Sequence, residues 1–565
     1  MNTYRNIITQ KSISKYYLIL LLFGFISLLF AGLPSSVDAA TVDDFIPVDS
    51  LVYLKLQDLD EVYSEITTSE AWKITIDHLV GESELEEMKN GLLAMQLIIG
   101  TDVYDVIETI GHQTGLALWV NDNKTFDGGL VIHSGGNLKE LQRLSKIVSG
   151  ALGMSGGILT LDAGEYRKVK YNMLKLEGAH LTYGFIGDFL VVGKEKESFE
   201  KLIDTYRKKK QSIKKKSSYV KTSKKLGPGE LSISVNATDI LPHLADIDDT
   251  SRAQLETFTN IHGKLNLLDA SPLIKLHIEF NENHLESRIT PFLTENNRGD
   301  ELKILNSMSG NEDLFVAFAS GVLGAVWELI QEEIQNAETD DVFAFITFLE
   351  GMLNLNFEED VIAALTGEIA LSVDDLSLFE PSALESLNIN LENSIQIDAS
   401  NVSTRGGLLF IPNSPVKWDQ MGNSLSNLQN SSISSIDYKG KKVSIFGSNI
   451  YYTESDGVSL LSFSEDQMYS LVDRITEKEK SKILKHLPKS PLMFVNLNLI
   501  KLLQVAQDNI PVENDVEIQQ ELFPLFAWIT VNDNVAMLEV ILSDKESPIE
   551  VFAKIAPLVI PQMRF

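Results

Sequence analysis

The sequence predicts an α+β fold, a tandem duplication of a two-layer domain in which helices pack on one face of an antiparallel sheet. Three observations predict it. Short apolar strands broken by Gly, Asp and Asn turns alternate with stretches of helical periodicity, the pattern of antiparallel sheet mixed with helices. Four passages share one shape, a turn residue, an apolar strand and a helix start: Pro47-Val-Asp-Ser-Leu-Val-Tyr-Leu-Lys-Leu56, Pro228-Gly-Glu-Leu-Ser-Ile-Ser-Val-Asn236, Gly310-Asn-Glu-Asp-Leu-Phe-Val-Ala-Phe-Ala319 and Pro488-Lys-Ser-Pro-Leu-Met-Phe-Val-Asn-Leu497. Other landmarks recur in the same order at nearly constant offset: Gly111 with Gly367, 256 apart, Pro228 with Pro488, 260 apart, and the hairpin at 180–193 with that at 449–462, 269 apart. Loop insertions produce such drift, so internal similarity outweighs division by an average domain length. The expected organisation is a leader at 1–39, repeat one at 40–298 and repeat two at 299–565.

The elements follow in order. A strand at 50–56 leads into a helical stretch to about residue 80, and a second helix is expected at 84–99. A short helix at 103–110 ends at Gly111, a C-cap residue that tolerates the left-handed conformation. Strands at 116–120 and 130–133 flank the turn-rich Asn121-Asp-Asn-Lys-Thr-Phe-Asp-Gly-Gly129, which reads as a hairpin. A helix at 138–152 precedes a meander of strands running to residue 192, with turns at Gly187-Asp188 and, in repeat two, at Asp456-Gly457. A helix at 196–208 then leads to the next Pro-strand-helix passage.

Composition narrows the function classes. The 565 residues are 44% hydrophobic and 22% charged, which excludes a disordered or collagen-like chain, and the absence of Cys excludes disulfide staples and Cys-ligated zinc. A net charge of −31 argues against nucleic-acid binding, because phosphate would repel the chain at long range. Lys11 and Lys15 precede an apolar run at 16–34, and Val37 and Ala39 sit where a signal peptidase reads small residues. That pattern is a secretory signal peptide or, left uncleaved, an N-terminal anchor. The remainder is expected outside the cytoplasm, periplasmic or secreted.

No catalytic constellation survives inspection. Gly153-Met-Ser155-Gly-Gly157 fits a nucleophile-elbow string, but the expected order is helix before and strand after, the reverse of what an elbow needs. The nine His include no H-x-H or H-E-x-x-H pair, and no phosphate-loop or calcium-loop string occurs, so no cofactor or metal is expected. Two segments stand out. Residues 207–225 hold ten bases and no acid, with Arg207, Lys208, Lys209, Lys210, Lys214, Lys215 and Lys216 as an expected docking patch for an anionic surface; the plain alternative is a helix C-terminus complementing its dipole. The segment at 342–353 is apolar almost all round, and Phe343, Phe345, Phe348, Leu349 and Met352 are expected either in the core or against a hydrophobic ligand or partner.

At Phe45-Ile-Pro47-Val-Asp49-Ser-Leu-Val-Tyr-Leu-Lys-Leu-Gln-Asp-Leu59, with the later Gly111-x-x-x-Gly115-Leu-Ala-Leu118 element, the chain resembles a bacterial family of exported proteins known as domain of unknown function 3352. The resemblance implies fold and export and carries no site residue. The resulting expectation is a non-enzymatic envelope protein serving as a binding or scaffold module. Its partner would be an envelope protein or lipid, with peripheral membrane contact through the basic run. The alternatives are a carrier of a lipid or other hydrophobic ligand and an enzyme of unidentified type.

Overall fold

The computed structural model describes residues 40–69, 72–73, 100, 103–154, 156–176, 179–208, 211–244, 255–270, 272–281, 302–308, 312–327, 355–374, 406–412, 433–446, 450–477, 491–502, 524–532, 534–543 and 546–559, with a few isolated positions between them. Helices and antiparallel strands are mixed, an α+β protein. The chain divides into two compact units, residues 1–279 with 545–561 and residues 280–544 with 562–565.

The strands of the first unit are β1 (Val52–Gln57), β2 (Gln113–Val120), β3 (Phe126–His133), β4 (Ile158–Tyr166), β5 (Val169–Leu176), β6 (Ala179–Ile186), β7 (Phe189–Gly193), β8 (Leu231–Asn236), β9 (Phe258–Leu265) and β10 (Ile274–Phe280). They run side by side as β4-β5-β6-β7-β3-β2-β1-β8-β9-β10. The two Pro-strand-helix passages, β1 and β8, therefore pair with each other in the interior of the sheet, Tyr53 opposite Ser234 and Lys55 opposite Ser232. The described helices of eight residues or more in the first 279 residues are α1 (Leu59–Thr68), α2 (Val103–Ile110), α3 (Leu138–Met154), α4 (Lys196–Lys208) and α5 (Ser217–Leu226).

Helices cover both faces of this sheet, which corrects the expected two-layer arrangement with helices on one face. On one face α4 seats Phe199, Leu202 and Ile203, all fully buried, against Val131, Phe189 and Val191. On the other, Val106 and Ile110 of α2 and Leu141 and Leu144 of α3 pack on Ile132 and Leu190. The reason lies in β3 and β7, whose successive residues are apolar in both directions of the pleat. Each face then needs a cover. At about 1.5–3 kcal/mol per buried large aliphatic or aromatic side chain, neither face could be left to water.

The first hairpin is longer than the turn signals predicted. Gly128 and Gly129, read as turn, lie inside β3. A Cβ on Gly129 would stand 2.5 Å from Leu202 Cδ1 and 2.8 Å from the Val192 carbonyl oxygen, so the bare backbone is what lets α4 close on the strand. The helix expected at 84–99 lies outside the described residues apart from the isolated position 96.

The strands of the second unit are β11 (Leu314–Phe318), β12 (Glu368–Val373), β13 (Gly406–Ile411), β14 (Ser434–Tyr438), β15 (Lys441–Phe446), β16 (Ile450–Ser455), β17 (Val458–Ser462), β18 (Met493–Asn498), β19 (Pro524–Asn532) and β20 (Val535–Ile541). Their order is β14-β15-β16-β17-β13-β12-β11-β18-β19-β20, the order of the first unit with each number raised by ten. Helix α6 (Glu465–Glu477) packs across β17, β16 and β13 with Met468, Leu471 and Val472 fully buried. Gly407 stands to Leu471 as Gly129 does to Leu202, its Cβ position again 2.5 Å from a leucine methyl. The last helix, α7 (Pro548–Val559), follows β20 in sequence but is part of the first compact unit, where it packs on α1.

Candidate functional site

A single 3-10 turn at Val42–Asp44 precedes β1, and the Asp44 carboxylate accepts from the Thr41 backbone N–H at 2.9 Å. The turn presses Val42, Phe45 and Ile46 into the core and carries the Asp43 side chain in with them. Strand alternation places Tyr53 and Lys55 on one face of β1. Both reach Asp43: the Tyr53 hydroxyl donates to Oδ1, and Lys55 Nζ donates to Oδ2 at 3.0 Å. Burial pushes the Asp43 carboxyl up, but the Lys55 ammonium, the Tyr53 hydrogen bond and Lys214 together hold it below the usual carboxylate range. Burial, then the Asp43 charge, push the Tyr53 hydroxyl well above its ordinary value, and the same two causes act on Tyr219 of α5. On β2, Gly115 faces Tyr53 and Val42 so closely that a Cβ would lie 3.3 Å from each. This is the glycine of the Gly111-x-x-x-Gly115 element, and its role is to admit the tyrosine.

The polar row continues across the sheet. Ser234 stands opposite His262 of β9, and Ser232 opposite Lys264. The hairpin between β9 and β10, closed by the Asn266 N–H on the Leu273 carbonyl at 2.8 Å, brings His277 beside His262, ring centroids 6.2 Å apart. His277 Nε2 meets Glu279 Oε1 at 3.2 Å, and Asn260 Nδ2 donates to the other oxygen of Glu279 at 2.6 Å. His262 Nε2 and His277 Nδ1 are buried without a hydrogen-bond partner. Burial pulls the His262 imidazole down to about 4, so it is neutral at ordinary pH.

Where α5 leans over β1, β8 and β9, a cleft of about 390 Å³ opens, lined by Asp43, Lys55, Tyr219, Lys224, Ser232 and Lys264 among others. Three ammonium groups thus meet one carboxylate. Lys264 Nζ donates to the Gly227 carbonyl, and burial followed by repulsion from Lys55 lowers its pKa. Lys224 is exposed at the rim and has no ion-pair partner among the described residues. A second groove, of about 510 Å³, runs past Asp49, Glu200, Lys201 and Asp204. Its charges are matched on the surface: Lys201 to Asp49 at 2.8 Å, Lys196 to Glu200 at 3.4 Å and Lys208 to Asp204 at 3.1 Å. Such exposed pairs are each worth under about 1 kcal/mol.

The second unit fills most of the corresponding positions with apolar side chains, Asn496 excepted. The Asn236 backbone N–H bonds to the Leu51 carbonyl at 2.7 Å, and the Asn498 N–H bonds to the Asp313 carbonyl at 2.8 Å in the same place, which aligns the two strand pairs. In that alignment Tyr53 answers to Phe315, Lys55 to Ala317, Ser232 to Phe494 and Ser234 to Asn496. By the same registers His262 answers to Phe526 and Lys264 to Trp528. Phe315, Ala317, Phe494, Phe526 and Trp528 form one hydrophobic cluster. The same strand order is therefore held together without the polar row.

Of the residues singled out in the basic run, Arg207 and Lys208 sit in the last turn of α4, where their charges complement the helix dipole. Lys214 is drawn inward to Asp44 at 2.8 Å, Lys215 is exposed, and Lys216 is half-buried at the start of α5. Lys209 and Lys210 lie outside the described residues, as do Phe343, Phe345, Phe348, Leu349 and Met352. The helix before Ser155 ends at Met154 and a strand begins at Ile158, the order expected of a turn and not of a nucleophile elbow. Among the described residues no group of three or more His, Asp or Glu is arranged to hold a metal ion, and no helix is long and apolar enough to cross a membrane. Sequence reasoning passed over Asp43, Tyr53, Lys55, Tyr219, His262 and Lys264. A signal was present in the four aligned passages, where Tyr-Leu-Lys in the first stands against Phe-Val-Ala in the third.

Residues 159–394 match the family described as "Protein of unknown function (DUF3352)", less than half of the chain. The matched stretch runs from β4 past β12 and leaves out both elements on which the resemblance was read, 45–59 and 111–118. No curated protein matches the chain. A solved structure titled "Structure of crystal form I of TP0453" aligns over 46% of this chain and 99% of its own, with 11% identity and a TM-score of 0.17, a level that carries no argument.

Proposed function

With residues 159–394 matching the model of the DUF3352 family of proteins of unknown function, we propose that the chain is an exported, non-enzymatic binding module of the cell envelope. It is built from a duplicated α+β unit in which the first copy carries the binding site. One observation supports this above the others. At matched positions of one strand order, the first unit keeps Tyr53, Lys55, His262 and Lys264 where the second keeps Phe315, Ala317, Phe526 and Trp528. Buried polar and charged groups cost free energy that apolar ones do not. A fold that is built once with an apolar core has no structural need of the polar row in its other copy, and ligand recognition accounts for retaining it. The signal-like N-terminus supports export.

The test is native mass spectrometry on the protein purified gently from the producing cell's envelope fraction. Non-protein mass that survives purification, and is lost when Lys55 and Lys264 are replaced, supports a binding module. Recovery of the protein in the cytoplasm with its first 39 residues intact would overturn the exported reading.

A further inference from the structure

The cleft beneath α5 has the composition of an anion site. Lys55 comes from β1, Lys264 from β9 and Lys224 from α5, so three separate elements converge their ammonium groups on one space of about 390 Å³. Ser223 and Ser232 add hydroxyl groups, and the turn at Gly227 and Gly229 forms part of the wall. Asp43 neutralises Lys55 at 3.0 Å, which leaves two positive charges uncompensated within the cleft. Lys55 and Lys264 repel each other across a partly desolvated space, and Lys264 titrates low for that reason after burial itself. An anion placed between them would remove the repulsion. In a chain of net charge −31 such a site does not arise from a general excess of bases.

We propose that this cleft binds the phosphate group of a small phosphomonoester. Two surplus ammonium groups match a dianion, and lysine acts on phosphate as a point charge flanked here by hydroxyl donors. The volume lies within the range of about 300–1,000 Å³ typical of small-molecule sites, leaving room beside the phosphate for an organic part. That part is hydrophilic, since Val220 is the sole large apolar residue on the wall. The proposal rests on reading the first unit as a binding module and supplies the ligand chemistry.

The test is calorimetric titration of the full mature chain with glycerol 3-phosphate, and sedimentation of the same protein with vesicles containing phosphatidic acid, so that a free phosphomonoester and a lipid headgroup are separated. Lys224→Glu lies at the exposed rim and leaves the core untouched, while Lys221→Glu makes the same charge change on an exposed residue of the same helix outside the cleft. Lys264→Gln keeps hydrogen-bonding capacity toward Gly227. At least a tenfold loss of affinity in Lys224→Glu and Lys264→Gln, with less than twofold in Lys221→Glu, supports the cleft, and whichever probe shows it names the source. Binding of neither probe, or equal loss in Lys221→Glu, overturns the phosphate assignment. Non-protein mass without phosphorus in the native spectrum would overturn it too, while leaving the binding module standing.

Discussion

His262 ties a separable part of the pH response of the first unit to one side chain. The imidazole is 5% exposed, its Nε2 has no partner, and burial lowers it from 6.5 to about 4. Between those two values the unfolded chain binds a proton that the folded chain refuses, so stability falls as pH drops. The whole shift corresponds to about 3.4 kcal/mol, and about 2.5 kcal/mol of it is already lost by roughly pH 4.5. At about pH 7.5 both states are neutral and the loss is negligible. Replacing His262 by Phe, the residue at the matched position 526, removes the titrating group. His262→Gln serves as a second non-titrating variant in case the larger ring overpacks the site. Urea unfolding read by hydrogen exchange at the β8 and β9 amides isolates this unit from the other. The parent is expected to lose about 2.5 kcal/mol more than either variant between those two pH values. Carboxylates distant from His262 act equally on all three proteins and cancel in the difference. Parent and variants with the same pH dependence, to within about 0.5 kcal/mol, would refute the reasoning.

Asp43→Asn strips the buried carboxylate from Lys55, Tyr53 and Tyr219 while keeping its shape, and is expected to destabilise the first unit by about 3–5 kcal/mol in denaturant unfolding; an unchanged midpoint would show the network to be idle. In the second unit Arg474 bonds Asp374 through both carboxylate oxygens at 2.8 Å and the buried Glu312 at 2.9 Å. Arg474→Met takes the guanidinium away from the buried Glu312 charge at a similar cost, and adding Glu312→Gln should recover part of the loss; no recovery would place the cost in packing. Gly129→Ala and Gly407→Ala each drive a methyl into a leucine of the crossing helix, so each is expected to cost about 1–3 kcal/mol, seen as a lowered melting temperature. Variants that melt with the parent would mean that α4 and α6 do not seat on those glycines.

Much of the element list was legible because it depends on local chemistry. Apolar alternation, the Asn121 to Thr125 turn and the amphipathic run at 196–208 announce their own secondary structure, and α4 begins and ends where its periodicity does. The turn at 126–129 was misread, because Gly is ambiguous between a bend and a strand position crowded from outside, and only the approach of Leu202 distinguishes them. The site was not legible in the same way. Asp43, Tyr53, Tyr219, His262 and Lys264 span more than two hundred residues of sequence and share no spacing, since strand pairing sets Tyr53, His262 and Lys264 across the sheet while the turn before β1 carries Asp43 and α5 carries Tyr219.

The sequence by itself determined the class of the fold and the four strand-helix passages. Those properties follow from backbone sterics and from which faces are apolar, and both are written locally. Only the tertiary structure decided that the two passages of each half become neighbouring strands inside the sheet, that helices cover both faces of the first sheet, and that α7 joins the first unit after leaving β20. The same folding separates a polar row from its apolar counterpart. Register across strands brings distant side chains within hydrogen-bond range, and burial then sets their charges, which no linear pattern encodes.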